Sequence, residues 1–294
     1  MDNSVSSASW DTVWWTIMVV ISAINLLAAW FLCIKSIKSG LRDRENSKYF
    51  LLLRSLGLIF ISVAMYRTIF VSSYPGRIVW FDTMFNSPFI IRCMAACAEL
   101  SFIGMIAAIL LKFSRETMVA GIHKNNRLFY FFLTKSPFIA VGCLLLAQFF
   151  AFDGLIRQYL LPFAIEETLW GLAFISITPL VITGLVHLKR INADCSLNRY
   201  KVFLIIMAIW CAGYGAFQCF YALPFIHWAH ISQDIGKIAP PDALRLAVFD
   251  HTVSRDFNTW GGIGFIIWHS GYFSVCSWMS LLFMTAPRKR NKAA

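Results

Sequence analysis

The sequence is dominated by seven long apolar runs, each bounded by charged residues or by Pro, Gly or Asn. An α-helix needs about 20 apolar residues to cross a hydrocarbon core of about 30 Å. The runs therefore predict an all-α protein, a seven-transmembrane-helix bundle that forms a single integral membrane domain over residues 1–294. The predicted spans are approximately Val13–Ile34, Tyr49–Val71, Asn86–Leu111, Leu128–Phe152, Phe163–His187, Val202–His227 and Trp260–Ala286.

The composition excludes the usual soluble classes. Apolar residues make up 59% of the chain and charged residues only 14%. This composition differs strongly from that of soluble proteins, whose surfaces face water. The net charge of +11 is a signature of nucleic-acid binding in a soluble protein, but here the basic residues form short clusters between apolar runs. Such clusters set membrane topology. We therefore expect the lipid bilayer as the surrounding partner and no nucleic acid, and we leave protein partners and cofactors open.

The distribution of Lys and Arg predicts the direction of the chain, since these residues stay on the cytoplasmic side of short loops. Seventeen of them fall in the first, third and fifth connections and the C-terminal tail, against five on the other side. This asymmetry predicts an outside N-terminus and a cytoplasmic C-terminus. The expected location is the bacterial inner membrane or a eukaryotic endomembrane or plasma membrane. The five residues on the outer side are Arg77, Arg157, Lys237, Arg245 and Arg255.

Ionisable residues inside the apolar runs are the candidate site, because a charge at membrane depth is costly and needs a partner or a purpose. One interpretation is a buried ion pair that locks helices together through Arg67, Arg92 and Glu99. The other is a cavity open to the outside, since these groups share a similar depth with three further residues. Those three are Glu166, Glu167 and His269.

The adjacent pair Glu166 and Glu167 raises a question of orientation. Neighbouring residues on an α-helix point about 100° apart. We therefore expect only one of the two to face the centre of the bundle and the other to meet water at the interface.

These residues predict the binding of a small amphiphilic or lipid-like ligand, with acid–base catalysis such as cyclisation, isomerisation or hydrolysis as an extension. Glu99 and one of the two adjacent glutamates then act as acid or base, and His269 carries a proton. Two classes of alternative remain: a proton-linked transporter, channel or sensor, and a structural or assembly subunit. In the ligand-binding hypothesis an anionic group is oriented by Arg67 or Arg92, and Trp170 belongs to an aromatic wall.

Short resemblances to known membrane proteins do not assign a family. Glu166–Glu167 resembles the Glu-Glu-x-x-x-Arg signature of intramembrane CAAX-type proteases, with Gly171 at the Arg position. The segment from Pro162 is loosely similar to the Pro-x-Glu-Glu helix of some carotenoid cyclases. Seven spans with an outside N-terminus also resemble rhodopsins, but the last apolar run contains no Lys that could form a retinal Schiff base.

The histidines near the sixth and seventh runs do not predict a metal site. His227 and His230 have an i, i+3 spacing, but the chain has no His-Glu-x-x-His motif, which is the stronger zinc signature. The connection between these runs, 228–259, predicts a short interfacial helix that starts near Pro240 and Pro241. We expect this helix to act either as a lid over the cavity or as a passive anchor at the membrane surface.

Overall fold

The computed structural model describes residues 10–40, 46–74, 76–118, 127–190, 197–231, 238 and 240–286. These residues form eight α-helices and three short strands. The helices are α1 (Trp10–Gly40), α2 (Ser47–Ile69), α3 (Pro88–Phe113), α4 (Arg127–Arg157), α5 (Leu160–Arg190), α6 (Asn198–Phe217), α7 (Pro240–Phe249) and α8 (Gly262–Met284). The strands are β1 (Ser72–Ser73), β2 (Ile78–Val79) and β3 (Thr252–Val253).

Six helices in the described part of the chain are long and apolar enough to cross a membrane. They are α1 to α6, the last together with the helical turns that follow it. These helices indicate a multi-pass membrane protein. The seventh predicted span forms α8, a continuous helix of 23 residues that contains His269 and four serines and is not among these six. The structure therefore supports the all-α membrane bundle but does not establish a count of seven crossings.

The outer surface of the long helices is apolar. Leu27 of α1, Phe149 of α4 and Ile209 of α6 are 70%, 71% and 68% exposed, respectively. Large apolar side chains at this exposure over several helices are unusual on a protein surrounded by water. They suit a surface that contacts lipid chains.

Contacts at one end of the bundle, which we call the N-terminal face, join connections that are far apart in sequence. Trp10 at the start of α1 packs edge-on against Phe257, which precedes α8, with ring centroids 5.0 Å apart. Strand β1 pairs antiparallel with β2, and β2 pairs parallel with β3. Arg77 Nη2 donates to the carbonyl oxygens of Leu155 and Ile156 near the end of α4, at 3.4 and 3.1 Å.

Other contacts define the opposite face. Tyr200 near the start of α6 donates its hydroxyl proton to Glu116 beyond α3, at 2.7 Å. Lys112 Nζ lies 5.0 Å from the ring centroid of Tyr49 near the start of α2. Arg199 Nη1 donates to the carbonyl oxygen of Thr285 after α8, at 3.2 Å. The long helices therefore alternate in direction, as expected for a chain that reverses at each connection. Several basic residues used to predict which face is cytoplasmic lie outside the described residues, among them Arg42, Arg44, Lys124 and 288–292.

The sixth predicted span is not one regular α-helix. After Phe217 the chain continues as a π-helical segment, Gln218–His227, that contains Pro224, and then as a 3₁₀ turn, Trp228–His230. A π-helical turn is wider than an α-helical turn and is often found at functional sites. Gln218 and Ala222 are the buried residues of this segment, so it turns one polar side chain into the bundle.

The half of the bundle nearer the opposite face contains packed aromatic rings. The ring centroid of Phe102 lies 5.2 Å from that of Phe60 and 6.0 Å from that of Phe283. Phe203 packs edge-on against Phe283 at 5.2 Å. All four side chains are at most 2% exposed. This apolar layer separates the opposite face from the polar residues described below.

Candidate functional site

A cavity of about 550 Å³ lies among α2, α3, α5, α8 and the helix formed by α6 and its π-helical continuation. Its deepest candidate residue, Glu99, is 11 residues from the start of α3, about 16 Å along the helix axis. The cavity therefore occupies the half of the bundle nearer the N-terminal face. Six of the seven candidate residues line it: Arg67, Arg92, Glu99, Glu166, Glu167 and Trp170.

Arg92 is the centre of a buried ion-pair network. Its side chain is 2% exposed. Nη2 donates to Glu99 Oε2 at 2.8 Å and Nη1 to Glu99 Oε1 at 3.4 Å, so the two residues pair along one face of α3. Nη1 also donates to Glu166 Oε1 at 3.3 Å. Both carboxylates therefore compensate the same guanidinium, which links α3 to α5.

Gln148 of α4 completes this network. Its Oε1 accepts a hydrogen bond from Arg92 Nη2. Its Nε2 donates to Glu99 Oε2 at 3.0 Å and to the carbonyl oxygen of Leu144 at 3.1 Å. Sequence reasoning missed Gln148, although an amide in an otherwise apolar run is a signal that could have been used. The network links α3, α4 and α5 and at the same time forms part of the cavity wall. The two interpretations of these residues, an ion-pair lock between helices and a cavity, therefore do not exclude each other.

Arg67 is separate from this network. Its guanidinium carbon lies 5.1 Å from the ring centroid of Phe273, 5.9 Å from that of Tyr272 and 5.8 Å from that of Tyr74. Only 7% of the residue is exposed. Within the described ranges Arg67 forms no hydrogen bond or ion pair with a carboxylate. The expected lock therefore uses Arg92 and Glu99 but not Arg67, which faces the cavity among aromatic rings and is within electrostatic range of Glu166 without forming an ion pair with it.

The two adjacent glutamates have different partners, and both line the cavity. Glu166 bonds Arg92, whereas Glu167 Oε2 accepts from Gln218 Nε2 at 2.5 Å. Gln218 Nε2 also lies 2.5 Å from the hydroxyl oxygen of Tyr214. Glu166 is buried and Glu167 is partly exposed, and the π-helical segment after α6 supplies Gln218 beside the Glu167 carboxylate.

His269 is the candidate residue that the structure leaves out of the cavity wall. The centroid of the His269 ring lies 5.1 Å from that of Trp14 of α1, 5.1 Å from that of Phe265 and 4.4 Å from that of Phe273. Three residues next to it on α8 line the cavity instead: Trp268, Gly271 and Tyr272. Successive helical residues point about 100° apart, so His269 lies on the side of α8 that contacts α1. It is not placed to pass a proton directly to a ligand in the cavity.

Aromatic side chains form much of the remaining wall. Trp170 is 8% exposed and stacks on Phe174 at 6.0 Å between centroids. Two further pairs on the wall escaped sequence reasoning, and each pair has the i, i+4 spacing that places side chains on one helix face. Both pairs are nearly parallel, with an interplanar angle of 4°: Trp210 with Tyr214 at 5.5 Å, and Trp268 with Tyr272 at 5.1 Å.

The short helix in the last long connection does not cover the cavity. Helix α7 packs against α3 and α4, and Ser87 Oγ, just before α3, donates to the carbonyl oxygen of Val248 at 2.7 Å. The described wall of the cavity contains no residue of α7, whereas His227 and His230 belong to it. A lid function for α7 therefore has no support in its position. Comparison with known proteins finds no matching family model, no matching curated protein and no matching solved structure.

Proposed function

We propose that this protein binds a small amphiphile whose anionic group contacts Arg67 in the cavity near the N-terminal face. The observation that carries the proposal is a buried guanidinium at the cavity wall with no carboxylate partner among the described residues. A buried, unpaired charge costs several kcal/mol. Phosphate and carboxylate groups match the planar donors of Arg. An anionic ligand group at Arg67 compensates this charge.

The apolar part of the ligand follows from the rest of the wall. A second groove, of about 440 Å³, is lined by α6 and α8 and shares Trp210, Tyr214 and Phe217 with the cavity. Its lining is almost entirely apolar, with Ile209 and Val275 among its residues. The groove continues the cavity between two helices, so it can hold a hydrocarbon chain while the polar group stays near Arg67.

The proposal includes α8 as a seventh membrane crossing, with the N-terminal face on the outside. Helix α8 packs against α1, α2 and α3, and Ile263 and Trp278 are 65% and 55% exposed. These exposed apolar side chains suit lipid along the length of α8. The excess of Lys and Arg on the opposite side supports a cytoplasmic position for the opposite face. The cavity then opens to the outer half of the bilayer.

The side chains around the cavity favour ligand binding over ion conduction and over acid–base catalysis, because most of them already pack or pair with one another. The packed rings of Phe60, Phe102 and Phe283 lie between the cavity and the opposite face. Glu99 and Glu166 both compensate Arg92, so they support the wall of the site. A catalytic role as acid or base then falls to Glu167, whose carboxylate contacts only neutral polar groups.

The test measures the binding of dihexanoyl-phosphatidylglycerol, an anionic short-chain lipid, to the protein in a maltoside detergent through tryptophan fluorescence. Arg67→Gln is expected to raise the dissociation constant about 10- to 100-fold, since a charge-assisted hydrogen bond contributes about 1.5–3 kcal/mol. Arg54→Gln is the matched control, because Arg54 lies on the same helix about 20 Å away. Equal dissociation constants for wild type and Arg67→Gln contradict the proposal.

A further inference from the structure

The cavity wall holds a second ionisable side chain, an acid whose charge is opposite in sign to that of Arg67 when it is ionised. Glu167 lies on α5 and is only partly buried. Among the residues that the structure describes, no Lys, Arg or His nitrogen lies within 4.0 Å of its carboxylate. Its hydrogen-bond donor is the neutral amide of Gln218. With Arg92 compensated by Glu99 and Glu166, Arg67 and Glu167 are the two charges of the wall without an ionic partner.

The orientation of the Gln218 amide leaves an acceptor beside this carboxylate. Nε2 lies 2.5 Å from both Glu167 Oε2 and the Tyr214 hydroxyl. With Glu167 ionised, the reverse orientation would place the amide oxygen against a carboxylate oxygen that has no proton to donate, so the network assigns the donor to this position. Gln218 Oε1 is then a buried acceptor with no partner in the described structure, on a residue that is 1% exposed. A buried acceptor without a donor costs about 1–3 kcal/mol, so the wall lacks a hydrogen-bond donor here.

Aromatic rings surround this acceptor-rich position. Trp170 is edge-on to Tyr214 at 6.5 Å, and Trp210 is stacked on Tyr214. The face of an aromatic ring attracts a cation through its quadrupole. A carboxylate and an unpaired amide oxygen both favour the same kind of ligand group, a cation that donates N–H bonds, and the neighbouring rings are compatible with one.

We infer that the ligand of this cavity is zwitterionic and carries a protonated amine at Glu167 and Gln218, in addition to its anionic group at Arg67. The inference rests on the proposed function, because it concerns the same cavity and the same ligand. A primary ammonium has N–H donors for Gln218 Oε1, whereas a quaternary ammonium has none. The shared chemistry is an ammonium linked to a phosphate or carboxylate, as in an aminophospholipid headgroup or a soluble amino-phosphate.

The experiment compares three lipids with the same two hexanoyl chains, carrying ethanolamine, choline or glycerol on the phosphate, by tryptophan fluorescence in maltoside. We expect wild type to bind the ethanolamine lipid about 10-fold more tightly than either of the others, the value for one charge-assisted hydrogen bond. Glu167→Gln is expected to remove this preference, so that the ethanolamine and glycerol lipids bind with equal affinity. Asp242→Asn, a neutralised carboxylate on the exposed side of α7, is the matched control.

A second variant tests the same inference in case Glu167→Gln fails to fold. Gln218→Met keeps the length of the side chain but removes both Oε1 and the Nε2 donor to Glu167, so the ratio of ethanolamine-lipid to glycerol-lipid affinity is expected to fall. Glycerophosphoethanolamine, which has no acyl chains, distinguishes a soluble amino-phosphate from a membrane aminophospholipid as the ligand. Tight binding of this soluble compound supports the ammonium site and identifies a soluble ligand, whereas binding only of the lipid supports the same site and identifies a membrane ligand.

Three outcomes would each contradict a different part of the proposals. Equal wild-type affinity for the ethanolamine and glycerol lipids, unchanged by Glu167→Gln, overturns the ammonium inference but leaves the anion site at Arg67 intact. Equal affinity for the ethanolamine and choline lipids overturns the N–H assignment to Gln218. If instead Arg67→Gln changes the affinity for none of the lipids, the proposed function itself fails.

Discussion

Arg92 and Glu99 lie two turns apart on α3 and pair at 2.8 Å, and this pair is closed by Gln148 from α4 and by Glu166 from α5. One cation with two carboxylates gives this network one formal negative charge, so Arg92 needs no further anion from a ligand. Arg67 and Glu167 lie on the same cavity wall without ionic partners among the described residues. The structure separates a set of charges that holds the wall together from two charges that face the ligand space.

The Arg92 network is expected to be essential for stability. Removing one partner of a buried ion pair typically costs about 3–5 kcal/mol, so Arg92→Gln should strongly lower the unfolding temperature in detergent. Arg157→Gln removes an exposed pair with Asp153 and is the control, with an expected cost below about 1 kcal/mol. The double variant Arg92→Gln/Glu99→Gln should recover part of the loss. Similar unfolding temperatures for Arg92→Gln and Arg157→Gln would show that the network is not structural.

Gly184 marks a close approach between helices α3, α5 and α6. A Cβ atom at this position would lie 2.8 Å from the ring of Phe113 and 3.0 Å from Leu204, and both of these side chains are fully buried. Overpacking of this kind typically costs about 1–3 kcal/mol. Gly184→Ala should therefore lower the unfolding temperature. Gly142→Ala is the matched control because no atom lies within 4 Å of its added Cβ, and a result equal to the control would contradict the observed packing.

Arg77 fastens the loops of the N-terminal face. It donates to the carbonyl oxygens of Leu155 and Ile156 and lies 3.6 Å from Asp250 Oδ2. Burial lowers the pKa of its guanidinium, and Asp250 opposes this shift. Arg77→Gln is expected to cost about 1–3 kcal/mol and to increase proteolysis in 250–261, measured by limited digestion. Arg245→Gln on the exposed side of α7 should have no such effect, and unchanged proteolysis of Arg77→Gln would exclude a fastening role.

The direction of the chain in the membrane can be tested with single cysteines at the two faces. Asp82 on the N-terminal face has an 86% exposed side chain, and Lys48 near the opposite face is also exposed. In intact cells a membrane-impermeant maleimide should label Asp82→Cys, whereas Lys48→Cys should react only after permeabilisation. Wild type measures the background from native cysteines. Labelling of both variants in intact cells would contradict the alternating arrangement, and the reverse pattern would invert the proposed orientation.

The sequence by itself determined the class of protein and most of the candidate residues. Apolar runs of about 20 residues form helices in any environment that excludes water, because the backbone must satisfy its own hydrogen bonds there. The six long apolar helices follow from this requirement. Ionisable residues are rare inside such runs, so Arg67, Arg92, Glu99, Glu166 and Glu167 could be selected before their neighbours were known.

The tertiary structure alone decided which of these residues share a partner. The rotation of each helix and the neighbour it meets depend on packing, which is why Arg92 pairs with two glutamates while the guanidinium of Arg67 packs against aromatic rings. The same rotation turns His269 towards α1 and away from the cavity. Gln148 and Gln218 carry no charge, so the search for ionisable groups passed over them. Their roles became visible only when the fold placed each amide beside a carboxylate in an apolar surrounding, where a hydrogen-bond partner is required.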